Sequence, residues 1–306
     1  MKTIFFTGKG GVGKSTLAAT LAWQLSQAGN NVLAVSFDPA HNLGDIFGKR
    51  LSHRKKRITD TLYLQEADLD KAAGTYIEEN IGILTQIYSY TRAFNLDVYF
   101  KVLRHSPGVE EYAAVTTMEQ IFREERTFDY IVFDTPPTGL ALRILALPNI
   151  TITWVDRLRR IRRQILEKRY TIHNISGKYI EKGVRLPFEE KEDPVMQRLE
   201  ILFKRYMNLY KMLKGAENTI AVVFNPDYLS LRESQRIVTG LSDLQLPLRV
   251  AFDNKFTPEQ QEVACEVEQQ LFPGTDHVDV VRVPMHGYAR EGAYQMSFDL
   301  TKHFVP

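Results

Sequence analysis

Short apolar runs recur along the chain, each closed by turn residues. They are Lys2–Thr7 (KTIFFT), Asn31–Phe37 (NVLAVSF), Leu62–Gln65, Tyr130–Phe133 (YIVF), Thr219–Phe224 (TIAVVF), Leu248–Phe252 (LRVAF) and Val278–Val283. They are continuous rather than alternating, the pattern of strands covered on both faces of a parallel sheet. Ser15–Ala28, with Leu17, Leu21, Trp23 and Leu25 among its apolar positions, reads as a helix. Strand, glycine loop, helix, strand is a βαβ unit, which implies parallel pairing. Two helix-like stretches interrupt the rhythm, at about 69–126 and 150–214, the second broken by Pro187 and Pro194. Strands resume after each. The 306 residues therefore predict one α/β domain, a doubly wound and mostly parallel sheet, with a helical subdomain formed by the two insertions.

The chemistry gathers where these strands end. Gly8-Lys9-Gly10-Gly11-Val12-Gly13-Lys14-Ser15-Thr16 follows the first strand and opens the helix. It matches the phosphate loop G-x-x-x-x-G-K-[ST] in the required context. Its backbone N–H groups and the helix N-terminus favour a phosphate. Gly8, Gly10, Gly11, Val12, Gly13, Lys14, Ser15 and Thr16 are thus the expected nucleotide-binding positions, with Lys14 on the β- and γ-phosphates and Ser15 on Mg²⁺. Asp38 follows the second strand, where a carboxylate can orient or deprotonate an attacking water. Asp134 follows YIVF at the Walker B position, where an acid holds Mg²⁺ directly or through water. Asn225-Pro226, Asp253-Asn254-Lys255 and Val283-Pro284 close later strands and reach the same cleft. An Asn amide both donates and accepts, which suits an adenine edge. Ordinary turn residues would look the same.

GKGGVGKST, DPAHNL (38–43), DTPPTG (134–139) and FNPDYLSLRESQR (224–236) together resemble the family that includes the arsenical-pump ATPase and the tail-anchored-protein targeting ATPase. The resemblance covers nearly the whole chain. It implies an ATP- and Mg²⁺-dependent hydrolase acting as a homodimer. It implies that Lys9 crosses the dimer to the partner's nucleotide, that Asp38 activates water, that Asn42 bonds across the dimer, and that Asn254 and Pro284 hold adenine. It also implies a groove for an apolar client helix or membrane protein. Two helical stripes suit such a groove: Ile77, Ile81, Leu84 and Tyr88, and Leu199, Leu202, Tyr206, Leu209 and Leu213. A packed helical layer would show the same stripes. Departures from the family pattern are Pro136 for Ala, Leu140 for His, and Cys265-Glu266-Val267-Glu268 where targeting members carry the zinc motif C-x-x-C. No metal besides Mg²⁺ is expected.

Composition adds exclusions. With 44% hydrophobic and 25% charged residues the chain is not mostly disordered. The net charge of +2 sets up no global field for nucleic acid or membrane. Locally, Arg157, Arg159, Arg160, Arg162, Arg163, Lys168 and Arg169 are opposed by Glu167 alone. That run is either a solvated helix face or a peripheral contact with anionic lipid or an acidic partner. It lacks the interleaved aromatics of a nucleic-acid surface. Cys265 is the sole cysteine, so neither an internal disulfide nor a Cys-built metal site is expected, nor the soft triad of a metalloid pump. MKTIFFTGKGG enters a strand at once, and no apolar run of about 18 residues stands out. A cytoplasmic location is the expectation. Three tasks remain open: a targeting ATPase with an apolar client, the energising subunit of an anion or metalloid transporter, and a nucleotide-controlled membrane-surface scaffold.

Overall fold

A computed structural model describes the chain except residues 39–41, 76–107, 177–179, 182–183, 186, 275–276, 286–291, 293 and 305–306. The residues fall into two compact units, Met1–Leu145 with Leu213–Pro306, and Ala146–Met212.

All seven apolar runs are strands of one sheet in the first unit. They are β1 (Lys2–Gly8), β2 (Val32–Ser36), β4 (Leu62–Glu66), β5 (Tyr130–Asp134), β8 (Asn218–Phe224), β9 (Leu248–Phe256) and β10 (Asp279–Pro284). A two-residue strand, β3 (Lys56–Arg57), adds an antiparallel edge. The order is β10-β9-β8-β1-β5-β2-β4-β3, and every pair except β3–β4 is parallel. The chain starts at the centre, winds out through β2 and β4, returns to β5, then leaves the other way through β8, β9 and β10. That reversal beside β1 is where doubly wound sheets open a crevice at the carboxyl ends of their strands.

Alternate residues of β1 serve opposite faces. Ile4 and Phe6 pack with Leu17, Leu21 and Leu25 of α1 (Lys14–Gln27). Phe5 stacks on Phe133 at 4.5 Å, and Phe133 also meets Phe37 and Phe122. Phe122 belongs to a helix, Val109–Glu124, that lies inside the first expected insertion yet packs on this sheet. The stripe Ile77–Tyr88 lies outside the described residues. A short helix, α2 (Asn42–Ile46), precedes it; the Val109–Glu124 helix is α3. The C-terminal segment returns to α1, where Gln24 donates to the Phe298 carbonyl (2.7 Å) and accepts from the Leu300 amide (2.9 Å).

Helix α4 (Thr138–Ser176) starts in the first unit and runs into the second. Pro148 lies inside it, just past the boundary, and has no N–H to give the Ile144 carbonyl. The second unit adds a small hairpin, β6 (Ile180–Glu181) with β7 (Val184–Arg185), and most of α5 (Pro194–Lys214). Tyr206 and Leu209 of α5 are buried. The expectation of no membrane-length helix needs correction. Residues Thr138–Ile175 contain an 18-residue window of mean hydropathy 1.3, long and apolar enough to cross a membrane, a third of it buried.

Around α4, positions 152, 155, 159, 162 and 166 share one face. Ile152, Val155 and Leu166 are buried there. Arg159 donates to Glu200 (2.7 Å) and lies over the Phe203 ring. Arg162 makes two bonds to the fully buried Asp193, at 2.9 and 2.6 Å. Arg163 pairs with Glu190 at 2.8 Å and Arg160 with Asp156 at 2.7 Å. Four arginines of the run that the sequence offers to lipid or an acidic partner are therefore engaged by acids of their own unit, three of them by Glu190, Asp193 and Glu200 from a segment too distant in sequence to count against it. The opposite face exposes seven large apolar residues, Ile150, Trp154, Leu158, Ile161, Ile165, Ile172 and Ile175, with Arg157 and Lys168 on the same arc. At 3.6 residues per turn they fall within an arc of about 100°.

Candidate active site

β1, β5 and β2 are adjacent, and their register aligns Phe6, Asp134 and Ser36. The chain segments leaving them are the glycine loop, the Asp134 turn and the Asp38 turn. Three stretches distant in sequence thus meet at one strand-end edge. Gly13 has φ +99°, and a Cβ there would lie 2.3 Å from the Asn254 amide nitrogen, so only glycine fits. Val12 buries its side chain in the core and leaves only backbone to a ligand.

Lys14 is buried, and its ammonium donates to the Lys9 carbonyl at 3.0 Å. Burial lowers its pKa, against the raising pull of Asp134 and then Asp38. Asp134 is fully buried and pushed up to about 6, chiefly by loss of solvent. The Ser15 hydroxyl, Lys14 and the Ser36 hydroxyl hold it down, while Asp38 raises it. Ser36 donates to Asp134 Oδ2 at 3.1 Å, and the buried Oδ1 accepts no hydrogen bond among the described residues. A carboxylate oxygen without a partner next to a serine hydroxyl is a donor set that fits Mg²⁺, a cation that takes one or two protein oxygens and keeps waters. Ser36 had no sequence signal, since only strand register brings it to Asp134. Asp38 is half-buried at the mouth, its amide on the Ser36 hydroxyl at 3.2 Å. Pro39–His41 lie outside the described residues, and Asn42 opens α2. Thr16 is half-buried on the first turn of α1, and Gly10 is exposed at the loop tip.

The model of one protein family, described as anion-transporting ATPase, matches residues 1–271. The chain belongs to the anion-transporting ATPase family. A candidate arsenical pump-driving ATPase of Aquifex aeolicus is 29% identical over 89% of this chain and 68% of its own. The ATPase get3 of Pyrenophora tritici-repentis is 26% identical over 100% of this chain and 93% of its own. An ATPase ASNA1 homolog of Paramecium tetraurelia is 24% identical over 89% of this chain and 80% of its own. ATP hydrolysis is the activity that membership brings to this chain.

The remaining expected contacts of this family member lie on the other side of β1, at the ends of β8, β9 and β10. Asn254 is fully buried, with its amide nitrogen on the Val12 carbonyl at 2.7 Å, so it braces the loop. Its Oδ1 and that of Asn225 accept no hydrogen bond among the described residues. Pro284 ends β10 and is exposed. Lys9 is half-buried at the loop. At the zinc-motif position, Arg282 donates to both oxygens of Glu268 (2.7 Å each) and to the Cys265 sulfur (3.2 Å). A guanidinium therefore stands where a metal would need Cys265 and Glu268. Two residues that the sequence placed at this edge without a role of their own also lie here. Asp253 is fully buried and pushed up to about 7 by burial and by Glu268, and Lys255 donates to the Gly11 carbonyl at 2.8 Å.

Proposed function

We propose that this ATPase is a Mg²⁺-dependent, homodimeric switch that holds an apolar helical segment of a client protein. The observation that carries the reading is the exposed apolar face of α4. Ile150 to Ile175 spans 25 helical steps, about 38 Å at 1.5 Å per residue, enough to match a segment that crosses a hydrocarbon core of about 30 Å. Trp154 is 61% exposed and Ile175 79% exposed, which is costly in water unless a partner covers them. The relative named get3 supports a targeting task; the lone cysteine, its sulfur facing Arg282, gives no support to metalloid binding.

In this reading Lys14 leaves the Lys9 carbonyl for the β- and γ-phosphates. The loop amides hold the β-phosphate. Asn225 and Asn254 offer amide oxygens toward adenine's amine, and Pro284 offers an apolar edge. Ser15 and Asp134 hold Mg²⁺, which when bound offsets charge on the phosphate oxygens. Asp38 orients the attacking water, and Lys9 serves the partner's nucleotide. The working compartment is the cytosol.

The test uses a fluorescent 20-residue Leu/Ala helix peptide with ATP present. Trp154→Glu with Ile161→Glu places two charges on the apolar face and leaves the loop untouched. Peptide affinity should fall at least about tenfold, since two large apolar contacts are lost, while ATP turnover stays within about twofold. Equal peptide binding by wild type and variant would remove α4 from the client site.

A further inference from the structure

The β9–β10 register slips by one residue at the cleft. Val283 pairs with Asn254 and Pro284 with Phe256, which leaves Lys255 as the extra residue of a β-bulge. Lys255 has φ +61°, the left-handed region that a residue with a Cβ enters only at a cost. Glycine would remove that cost. Bulges beside active sites re-aim a side chain, and this one brings the Lys255 ammonium to the Gly11 carbonyl at 2.8 Å. The preceding residue, Asn254, holds the next carbonyl of the loop, that of Val12, at 2.7 Å. Two consecutive residues of β9 thus grip two consecutive carbonyls of the phosphate loop.

The grip has a consequence for the opposite edge of each peptide. In a planar trans peptide, the C=O of one residue and the N–H of the next point in opposite directions. Drawing the Gly11 and Val12 carbonyls toward β9 turns the N–H groups of Val12 and Gly13 away from it. Gly11 and Gly13 have φ +79° and +99°, with Val12 between them outside that region. Alternation of this kind makes successive N–H groups converge on an anion. We propose that Lys255 is a positioning residue of the phosphate loop. Its bulge trades local stability for a cation that pre-aims the Val12 amide at a nucleoside polyphosphate. The inference rests on the glycine loop being the phosphate site.

Lys255→Gly and Lys255→Met are compared with wild type and Lys255→Arg for ADP and pyrophosphate affinity, steady-state ATP hydrolysis and thermal unfolding. Lys255→Gly should melt at a higher temperature than wild type. Both Lys255→Gly and Lys255→Met should bind ADP and pyrophosphate about threefold to tenfold more weakly, the worth of one half-exposed hydrogen bond. KM should rise by a similar factor with kcat within about twofold, because the amide serves ground and transition state alike. Lys255→Arg should restore most of the affinity. Lys255→Met binding both ligands as wild type does would overturn the proposal. So would a loss for ADP without a loss for pyrophosphate, which would place Lys255 against the base. Wild-type protein that binds neither ligand overturns the phosphate-loop reading and this proposal with it.

Discussion

Two buried aspartates show how one residue type divides into two tasks by its neighbours. Asp134 and Asp253 both end in the protein interior, and burial raises both. Asp134 faces the Ser15 hydroxyl, Lys14 and the Ser36 hydroxyl, which favour its charged form. Asp253 faces Glu268 from the helix Gln261–Leu271, Arg282 from β10 and Asp227 from the turn after β8. Burial first and then Glu268 push Asp253 up to about 7 against the lowering pull of Arg282, so it keeps its proton to about that pH. In the unfolded chain the same carboxyl ionises near 3.8. Between these values the folded state binds the extra proton, so stability falls as pH rises, by at most about 1.4 kcal/mol per pH unit, and levels off above 7. Asp253→Asn keeps the shape and cannot ionise. Urea unfolding at pH 5 to 8 should therefore show the variant flatter than wild type and more stable at pH 8. Parallel curves would assign the pH dependence to other groups.

Among the elements, the strands and the strand-end turns were legible because their signals are local. YIVF is apolar whatever surrounds it, and GKGGVGKS carries its context in adjacent residues. Interactions between elements left no such trace. The pairing of α4 with the segment before α5 reverses the meaning of the arginine run, and nothing in positions 157–169 announces Asp193 thirty-one residues from Arg162. The apolar face of α4 was hidden for a related reason: its residues are spaced three and four apart among those arginines, so no continuous run appears. The task of Lys255, which the sequence placed only at a strand end, was missed because a positive φ on a lysine has no sequence mark. Asp193 is the joint of the second unit. It accepts from Arg162 twice and from the Met196 amide at 2.7 Å, capping α5 whose first residue is Pro194. Burial would raise its pKa, but Arg162 and the Met196 amide, with Arg169, hold it below the ordinary value. Its support is thus present above pH 4 and lost only in stronger acid. Asp193→Ala leaves Arg162 unpaired and should cost the second unit about 3–5 kcal/mol. Limited proteolysis should then cut within 146–212 while the sheet unit stays intact; unchanged resistance would mean the ion pair is dispensable.

At the scale of the whole molecule, the assignment of Lys9 decides whether one chain can turn over ATP alone. Lys14 occupies the Lys9 carbonyl, so the backbone of Lys9 is engaged in its own loop. Its side chain is half-buried at the loop and is the group proposed to serve another subunit. A cation delivered in trans stabilises charge that develops only as the γ-phosphoryl leaves, which is worth about 10³–10⁵ in rate for arginine fingers. Complementation separates the two geometries. Lys9→Ala lacks the cation proposed to act across the dimer, Asp38→Asn lacks the carboxylate proposed to orient water, and each alone should be inactive while still binding ATP. In a mixed dimer with Lys9 acting across the interface, the nucleotide on the Lys9→Ala subunit meets its own Asp38 and the partner's lysine, so one complete site forms. Random mixing makes half the dimers mixed, each with one working site of two, and predicts about a quarter of the wild-type rate. If Lys9 acts within its own chain, every site in the mixture lacks one of the two groups and activity stays at the level of the separate variants. Recovered turnover on mixing therefore requires both a dimer and a shared site, and its absence from a mixture shown to contain mixed dimers returns Lys9 to its own loop.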